Sequence, residues 1–296
     1  REGLRAGAPP QPPSDFDAFA AAPSAPDEKQ AVVVDATASM LAESPLFDKL
    51  ARLCEGAGAL YENDAVSVNV QQEYRGSQGR VVVTVKNDYP PVAAGGHVIE
   101  AAAIDVDLGT SGLRHHLSDL STSVLDPGAA ASAQLMLECM QPYDEAPVAL
   151  LKFTIAAQPY ELKIALPALF TKFLEPVDLA PQVFVQRWAT LGAPGLECMT
   201  TFQAKDGPAG AAFAKPRLET LVNVAFVAGV DDSDGTILSG AAALRTGTAN
   251  AGGDKISVGC LIRLEMNAAA NAYRLTVRTA VPRVSESLAT AIQKVL

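Results

Sequence analysis

The residues best placed to do chemistry are one tryptophan and a group of arginines. In the stretch Ala180 to Leu191 (APQVFVQRWATL), Phe184, Trp188 and Leu191 recur at helical spacing, which predicts one amphipathic helix. Farther along, GCLIRLE and YRLTVRT read as two strands joined by an asparagine-containing loop. Ile262 and Leu264 alternate with Arg263 and Glu265, and Leu275 and Val277 alternate with Arg274, Thr276 and Arg278. If the apolar set faces a core, the arginines share the other face, about 5–8 Å apart on neighbouring strands. Such a surface could hold one carboxylate between two guanidiniums. The indole would offer a flat apolar surface to an aromatic side chain. A solvated sheet face with Trp188 as core filler fits the same pattern, and on pattern alone that plainer reading is favoured.

Other chemistries find less support. Gly56-Ala57-Gly58 begins like a dinucleotide loop, but Tyr61 stands at the third glycine position and the run precedes strands. The DDSDG run at Asp231 to Gly235 looks like a calcium loop, yet Val230 occupies the first ligand position, so a solvated turn is expected. Cys54, Cys139, Cys198 and Cys260 are scattered without a CxxC pair and read as small apolar groups. His115 and His116 are neighbours that an extended segment would point to opposite faces, so neither a metal nor a cofactor is expected. No histidine lies close in sequence to a serine or cysteine nucleophile in a catalytic motif, so no enzyme is expected.

The elements that must position these residues fall into three regions. Residues 1–45 are rich in alanine, proline and polar side chains, carry a net charge of −4, and are expected to form a mobile hinge. The short apolar run Ala31 to Val34 interrupts them. Residues 46–166 show period-two alternation, as in Val66, Val68 and Val70, in RVVVTV from Arg80, and in later runs from Val98, Ala133, Val148 and Tyr160. Short strands separated by turn signals such as NDYPP, GTSG and DPG predict a β-sandwich. From residue 167 the period changes. The helix around Trp188, the arginine hairpin and a C-terminal helix with Val284, Leu288, Ile292 and Val295 on one face predict an α+β unit with an antiparallel sheet. The nets of −7 and +1 for these two regions leave the whole chain at −10, unsuited to general nucleic-acid binding. No apolar stretch approaches the ~20 residues of a membrane span. The chain lacks an initiator methionine and a signal-peptide pattern, and reads as a cytosolic piece of something longer.

LPALFTKFLEPVDLAPQVFVQRW, GCLIRLE and YRLTVRT, preceded by LYEND, QQEYRGSQGR and ECMQPYDEAPV, resemble the C-terminal appendage of the alpha-adaptin family, the large subunits of the endocytic clathrin adaptor. The resemblance runs from about residue 46 to the C-terminus, with an apparent insertion around Thr246 to Asp254. It implies an immunoglobulin-like sandwich followed by a platform, both carried on a flexible hinge. It also implies recruitment of endocytic accessory proteins through Asp-Pro-Phe or Phe-x-Asp-x-Phe peptides, at cytoplasmic plasma-membrane coated pits. The other adaptor subunits would be reached through the family's trunk, and the clathrin coat would be a further partner. The platform residues carried over are Phe184, Trp188, Arg263 and Arg278, with Glu265 and Arg274 nearby, and Val185 where the family has an aromatic. Glu265 is expected to hold the guanidiniums in place. A second family site, on the side of the sandwich, takes Trp-x-x-Phe peptides and falls on Gln71, Thr84 and Ala130, where the family has lysine, phenylalanine and glutamine. That second site is expected to be weak or retargeted, and a structural ear with drifted peptide specificity is the alternative role. In the hinge, Ser14 to Phe19 (SDFDAF) contains an Asp-x-Phe that could act as a tethered ligand.

Overall fold

A computed structural model describes residues 30–37, 56–109, 112–205, 207–230 and 235–296. The chain divides into two units, Arg1–Gln30 and Ala31–Leu296, and the fold described below is that of the second. Its strands are β1 (Val32–Asp35), β2 (Ala57–Glu62), β3 (Val66–Arg75), β4 (Gln78–Asn87), β5 (Ile99–Asp107), β6 (Leu113–Leu117), β7 (Ala130–Cys139), β8 (Val148–Ile155) and β9 (Gln158–Ala165). They form a four-stranded sheet in the order β1-β9-β8-β5 and a five-stranded sheet in the order β2-β3-β4-β7-β6. The alternation dictates the packing. Val66, Val68, Val70, Val81, Val83, Val85 and Leu135 of one sheet share a core with Ile99, Leu151, Leu162 and Ile164 of the other. The one fully buried polar side chain of β4, Asn87, is satisfied there: its amide donates to the carbonyls of His97 and Leu125 and its oxygen accepts from the Tyr89 N–H.

The apolar run that interrupts the expected hinge packs as a strand: Val32–Asp35 pairs in parallel with β9, where three successive β-branched residues suit the extended backbone of a sheet edge. Residues 1–29, with the SDFDAF motif, and 38–45 of the expected hinge lie outside the described residues, as do Cys54 and the acidic run 231–234.

A second group of elements follows: a 3₁₀ turn (Phe170–Phe173), β10 (Leu174–Pro176), α1 (Pro181–Thr190), β11 (Glu197–Gln203), α2 (Ala211–Leu221), β12 (Ala225–Phe226), β13 (Ile237–Ala249), β14 (Lys255–Asn267), β15 (Ala272–Thr279) and α3 (Pro282–Val295). The sheet runs β10-β13-β14-β15-β11, antiparallel throughout, with β12 alongside β13. One face buries Ile262, Leu264, Leu275 and Val277 in the main core together with Val284, Leu288, Ile292 and Val295 of α3, the face expected from the helical spacing. Gly240 on β13 is required by close approach, since a Cβ there would stand 2.5 Å from Val224 Cγ1. The apparent insertion lies at the far end of the β13–β14 hairpin. There Thr248 Oγ1 donates to the Met140 carbonyl (2.7 Å), and Lys255 Nζ reaches Ser77 Oγ (3.2 Å) and Glu138 Oε1 (3.1 Å).

Burial makes a first prediction. Cys139 and Cys260 are fully buried, and burial pushes both thiols up to about 12 from an ordinary 9.0. Above pH 9 the unfolded chain loses these protons while the folded chain keeps them, so stability is whole below pH 9 and falls as pH rises from about 9 to about 12. Urea unfolding at pH 8 and pH 10.5 should show the lower midpoint at the higher pH, and neither thiol should react with a maleimide at pH 8 before unfolding.

Candidate functional site

The opposite face of the second sheet carries the arginines, as the alternation requires. Register arranges that face in rows across four strands: Ala241, Leu261, Arg278 and Glu197; then Ser239, Arg263, Thr276 and Met199; then Ile237, Glu265, Arg274 and Thr201. The helix α1 lies over the first row. It begins at Pro181, whose fixed φ and missing N–H suit a first helical position. Its Phe184 is buried in a small cluster with Val227, Ala241 and Leu261, against which Trp188 and Leu191 are partly buried. This satellite core is the reason both faces of the sheet are apolar near α1.

One turn apart on α1, Phe184 and Trp188 stack with ring centroids 5.6 Å apart and planes 15° apart. The Arg278 guanidinium carbon sits 4.3 Å from the Trp188 ring centre. Arg278 is held on every nitrogen. Its Nη1 donates to the Trp188 carbonyl (2.7 Å), its Nε donates to Glu197 Oε2 (2.6 Å), and Nη2 meets the same oxygen at 2.5 Å. That geometry fixes the indole from both its ring and its backbone.

Glu265 does not hold Arg278, contrary to the expectation. It faces Arg274 directly across β14–β15 and pairs with it, while Glu197 on the edge strand takes Arg278. Glu197 escaped the sequence reading because its strand pairs 81 residues away and no motif marks it. Arg263 is half-buried and has no hydrogen-bond or ion-pair partner among the described residues. It is therefore the guanidinium left open to a further anion. Val185 points outward and is 55% exposed, adding an apolar rim to the helix.

The sandwich positions also share one surface. Gln71, Thr84 and Ala130 lie on neighbouring strands β3, β4 and β7, on the outward face of the five-stranded sheet. Thr84 is engaged with Ser132 (Oγ1 to Oγ 2.8 Å), Gln71 faces Val82, and Ala130 faces Lys86, whose ammonium pairs with Asp88. The three form a small polar face without an aromatic floor. Among the described residues no group of three or more His, Cys, Asp or Glu side chains gathers to hold a metal, and no helix is long and apolar enough to cross a membrane.

Residues 172–296 match the family model described as Alpha adaptin AP2, C-terminal domain. The AP-2 complex subunit alpha-2 of Dictyostelium discoideum is 25% identical over 230 residues, covering 77% of this chain and 22% of that protein. The AP-2 complex subunit alpha-1 of Arabidopsis thaliana is 22% identical over 258 residues, covering 85% of this chain and 23% of that protein. In Schizosaccharomyces pombe the AP-2 complex subunit alpha is 24% identical over 251 residues, covering 83% of this chain and 26% of that protein. The chain thus spans about a quarter of the length of the curated relatives it matches. The GAE domain of GGA2p from Saccharomyces cerevisiae superimposes with a TM-score of 0.30 at 10% identity, over 36% of this chain and 92% of that one. The likeness to the alpha-adaptin C-terminal domain thus spans the whole arginine sheet, and alpha subunits of AP-2 complexes align over most of this chain.

Proposed function

We propose that this chain is an alpha-adaptin appendage, which recruits endocytic accessory proteins by binding short Asp-Pro-Phe or Phe-x-Asp-x-Phe peptides beside Trp188, as a binding module rather than an enzyme. The division into a hinge within 1–45, a sandwich over 46–166 and a platform over 167–296 belongs to this reading. So does work at cytoplasmic clathrin-coated pits, with the other adaptor subunits engaged through the family's trunk. The observation that carries it is the pairing of a fixed, half-buried indole with Arg263 in the adjoining row, a guanidinium unpartnered among the described residues. A ligand phenylalanine gains apolar area against the rings, and its aspartate gains a charge-assisted bond worth ~1.5–3 kcal/mol before solvent screening. The two arginines divide the work: Arg263 receives the aspartate, and Arg278 keeps the indole in place.

Calorimetric titration of an Asp-Pro-Phe peptide and its Asp→Ala counterpart tests this division. Wild-type protein should prefer the aspartate about tenfold. In Arg263→Ala that preference should vanish, whereas Arg278→Ala should weaken both peptides alike by unseating Trp188. Equal binding of the two peptides by wild-type protein would contradict the proposed recognition and favour an ear of drifted specificity. On the sandwich, Thr84 and Gln71 lack the flat apolar partner and the cation that a Trp-x-x-Phe acidic peptide needs. That peptide should bind at least tenfold more weakly than the Asp-Pro-Phe peptide.

A further inference from the structure

Sheet edges are normally protected against pairing with another chain by shortness, proline, charge or a bulge. The described edges here follow that rule with one exception. β1 has four residues, and β10 has three and includes Pro176. β2 and β5 both carry register shifts, and the five-residue β6 presents Arg114, His115 and His116. β11 alone among them runs seven residues (ECMTTFQ) in unbroken register, with no proline and no basic residue, and its one charge, Glu197, is already paired with Arg278.

Two hydrogen bonds fix which backbone groups of β11 are open. The Thr279 N–H donates to the Leu196 carbonyl (3.2 Å), and the Ala204 N–H donates to the Asn271 carbonyl (2.9 Å). In an antiparallel ladder this parity turns even-numbered residues toward β15 and odd-numbered residues outward. Met199 and Thr201 therefore present N–H and C=O to the outside, and among the described residues nothing takes them. Their side chains lie on the same face as Arg278 and Arg263. Met199 is 63% exposed, the most exposed large apolar side chain among the described residues. The row that holds Leu261 and Arg278 beneath α1 ends at Glu197, so a peptide leaving Trp188 across that row meets this edge.

We infer that a partner peptide continues past its recognition motif as an added strand on β11, with an apolar side chain against Met199. This rests on the platform reading above and deepens it. Main-chain pairing supplies affinity that is tolerant of sequence, and the Met199 contact sets a preference for an apolar residue at one alternate position. A strand over seven residues spans about 24 Å at ~3.4 Å per residue, well beyond a three-residue core.

The test uses the intact chain and two synthetic probes, an Asp-Pro-Phe peptide and the same core flanked on both sides by six alternating valines and threonines. The flanked peptide should bind about tenfold more tightly, and it should slow amide hydrogen exchange at Met199 and Thr201 at least tenfold. Methylating alternate flank amides should cancel the gain in one parity only. Met199→Pro should cancel it too, since an outward N–H can be lost without breaking the β15 ladder. Should that variant misfold, the methylated peptides still decide. Equal binding of both probes with unprotected Met199 and Thr201 amides would overturn strand addition while leaving the core site intact. If the core fails to bind, the site near Trp188 is wrong, and β11 protection by the flanked probe alone still decides the strand. A dimer in sedimentation with those amides protected before any peptide is added would assign the edge to a second copy and overturn the proposal.

Discussion

Replacing Trp188 with alanine is expected to abolish Asp-Pro-Phe binding, with a loss of at least about 30-fold, or ~2 kcal/mol. Short peptides lose much conformational freedom on binding, so a few concentrated contacts must carry the affinity. Trp188 is the contact best prepared for that role. Phe184 stacks on it from one turn away, and Arg278 stands 4.3 Å from its ring while bonding its carbonyl. The carbonyl and the Arg278–Glu197 pair survive Trp188→Ala, so the variant removes the ring and little else. Its unfolding midpoint in urea should move only slightly, because the indole belongs to a satellite cluster and not to the main core. Fluorescence anisotropy with a labelled peptide, alongside that midpoint, separates loss of the site from loss of the fold. Full affinity in Trp188→Ala would move the site elsewhere.

The largest effect on stability is expected at Phe173→Ala. Phe173 is fully buried where the two groups of elements meet, with Tyr74 of β3 edge-on at 5.3 Å and Tyr143 at 6.4 Å. Tyr143 also contacts Phe170 at 6.3 Å and donates its hydroxyl to the Ala168 carbonyl (2.9 Å). Deleting the ring loses its transfer energy and leaves a cavity between two rigid sheets, a cost of ~3–5 kcal/mol. The polar contacts around it, including Arg283 with Asp144 at 2.5 Å, are partly exposed and replace little of that. Denaturant titration should show a lower midpoint. A shallower or split transition would follow if the sandwich and platform then unfold apart.

Much of this fold is written plainly in the amino-acid pattern, and the omissions have physical causes. β3, β4, β8 and β9 announce themselves because each has one wet face and one dry face, which is what period-two alternation records. β13 does not. Its Ala241 sits under α1 while its Ala242 and Leu244 face the main core, so both faces are buried and the alternation disappears. α2 carries Pro216 inside it, against helix propensity, and β1 is four residues within an alanine- and proline-rich stretch. At the site, Phe184, Trp188 and the arginines were legible from two periodicities. The partnering was not. Which acid reaches Arg278 depends on β11 adding to the far side of β15, a tertiary choice made by a strand with no motif of its own.

The most direct measurement is a nuclear magnetic resonance titration of an Asp-Pro-Phe peptide into isotopically labelled protein. The Trp188 indole N–H, the Arg263 guanidinium and the amides of Phe184 to Trp188 should shift together along one binding curve, with the outward face of Gln71, Thr84 and Ala130 unmoved. Shifts confined to that sandwich face, or a Trp188 indole that stays fixed at saturating peptide, would contradict peptide recognition at the platform.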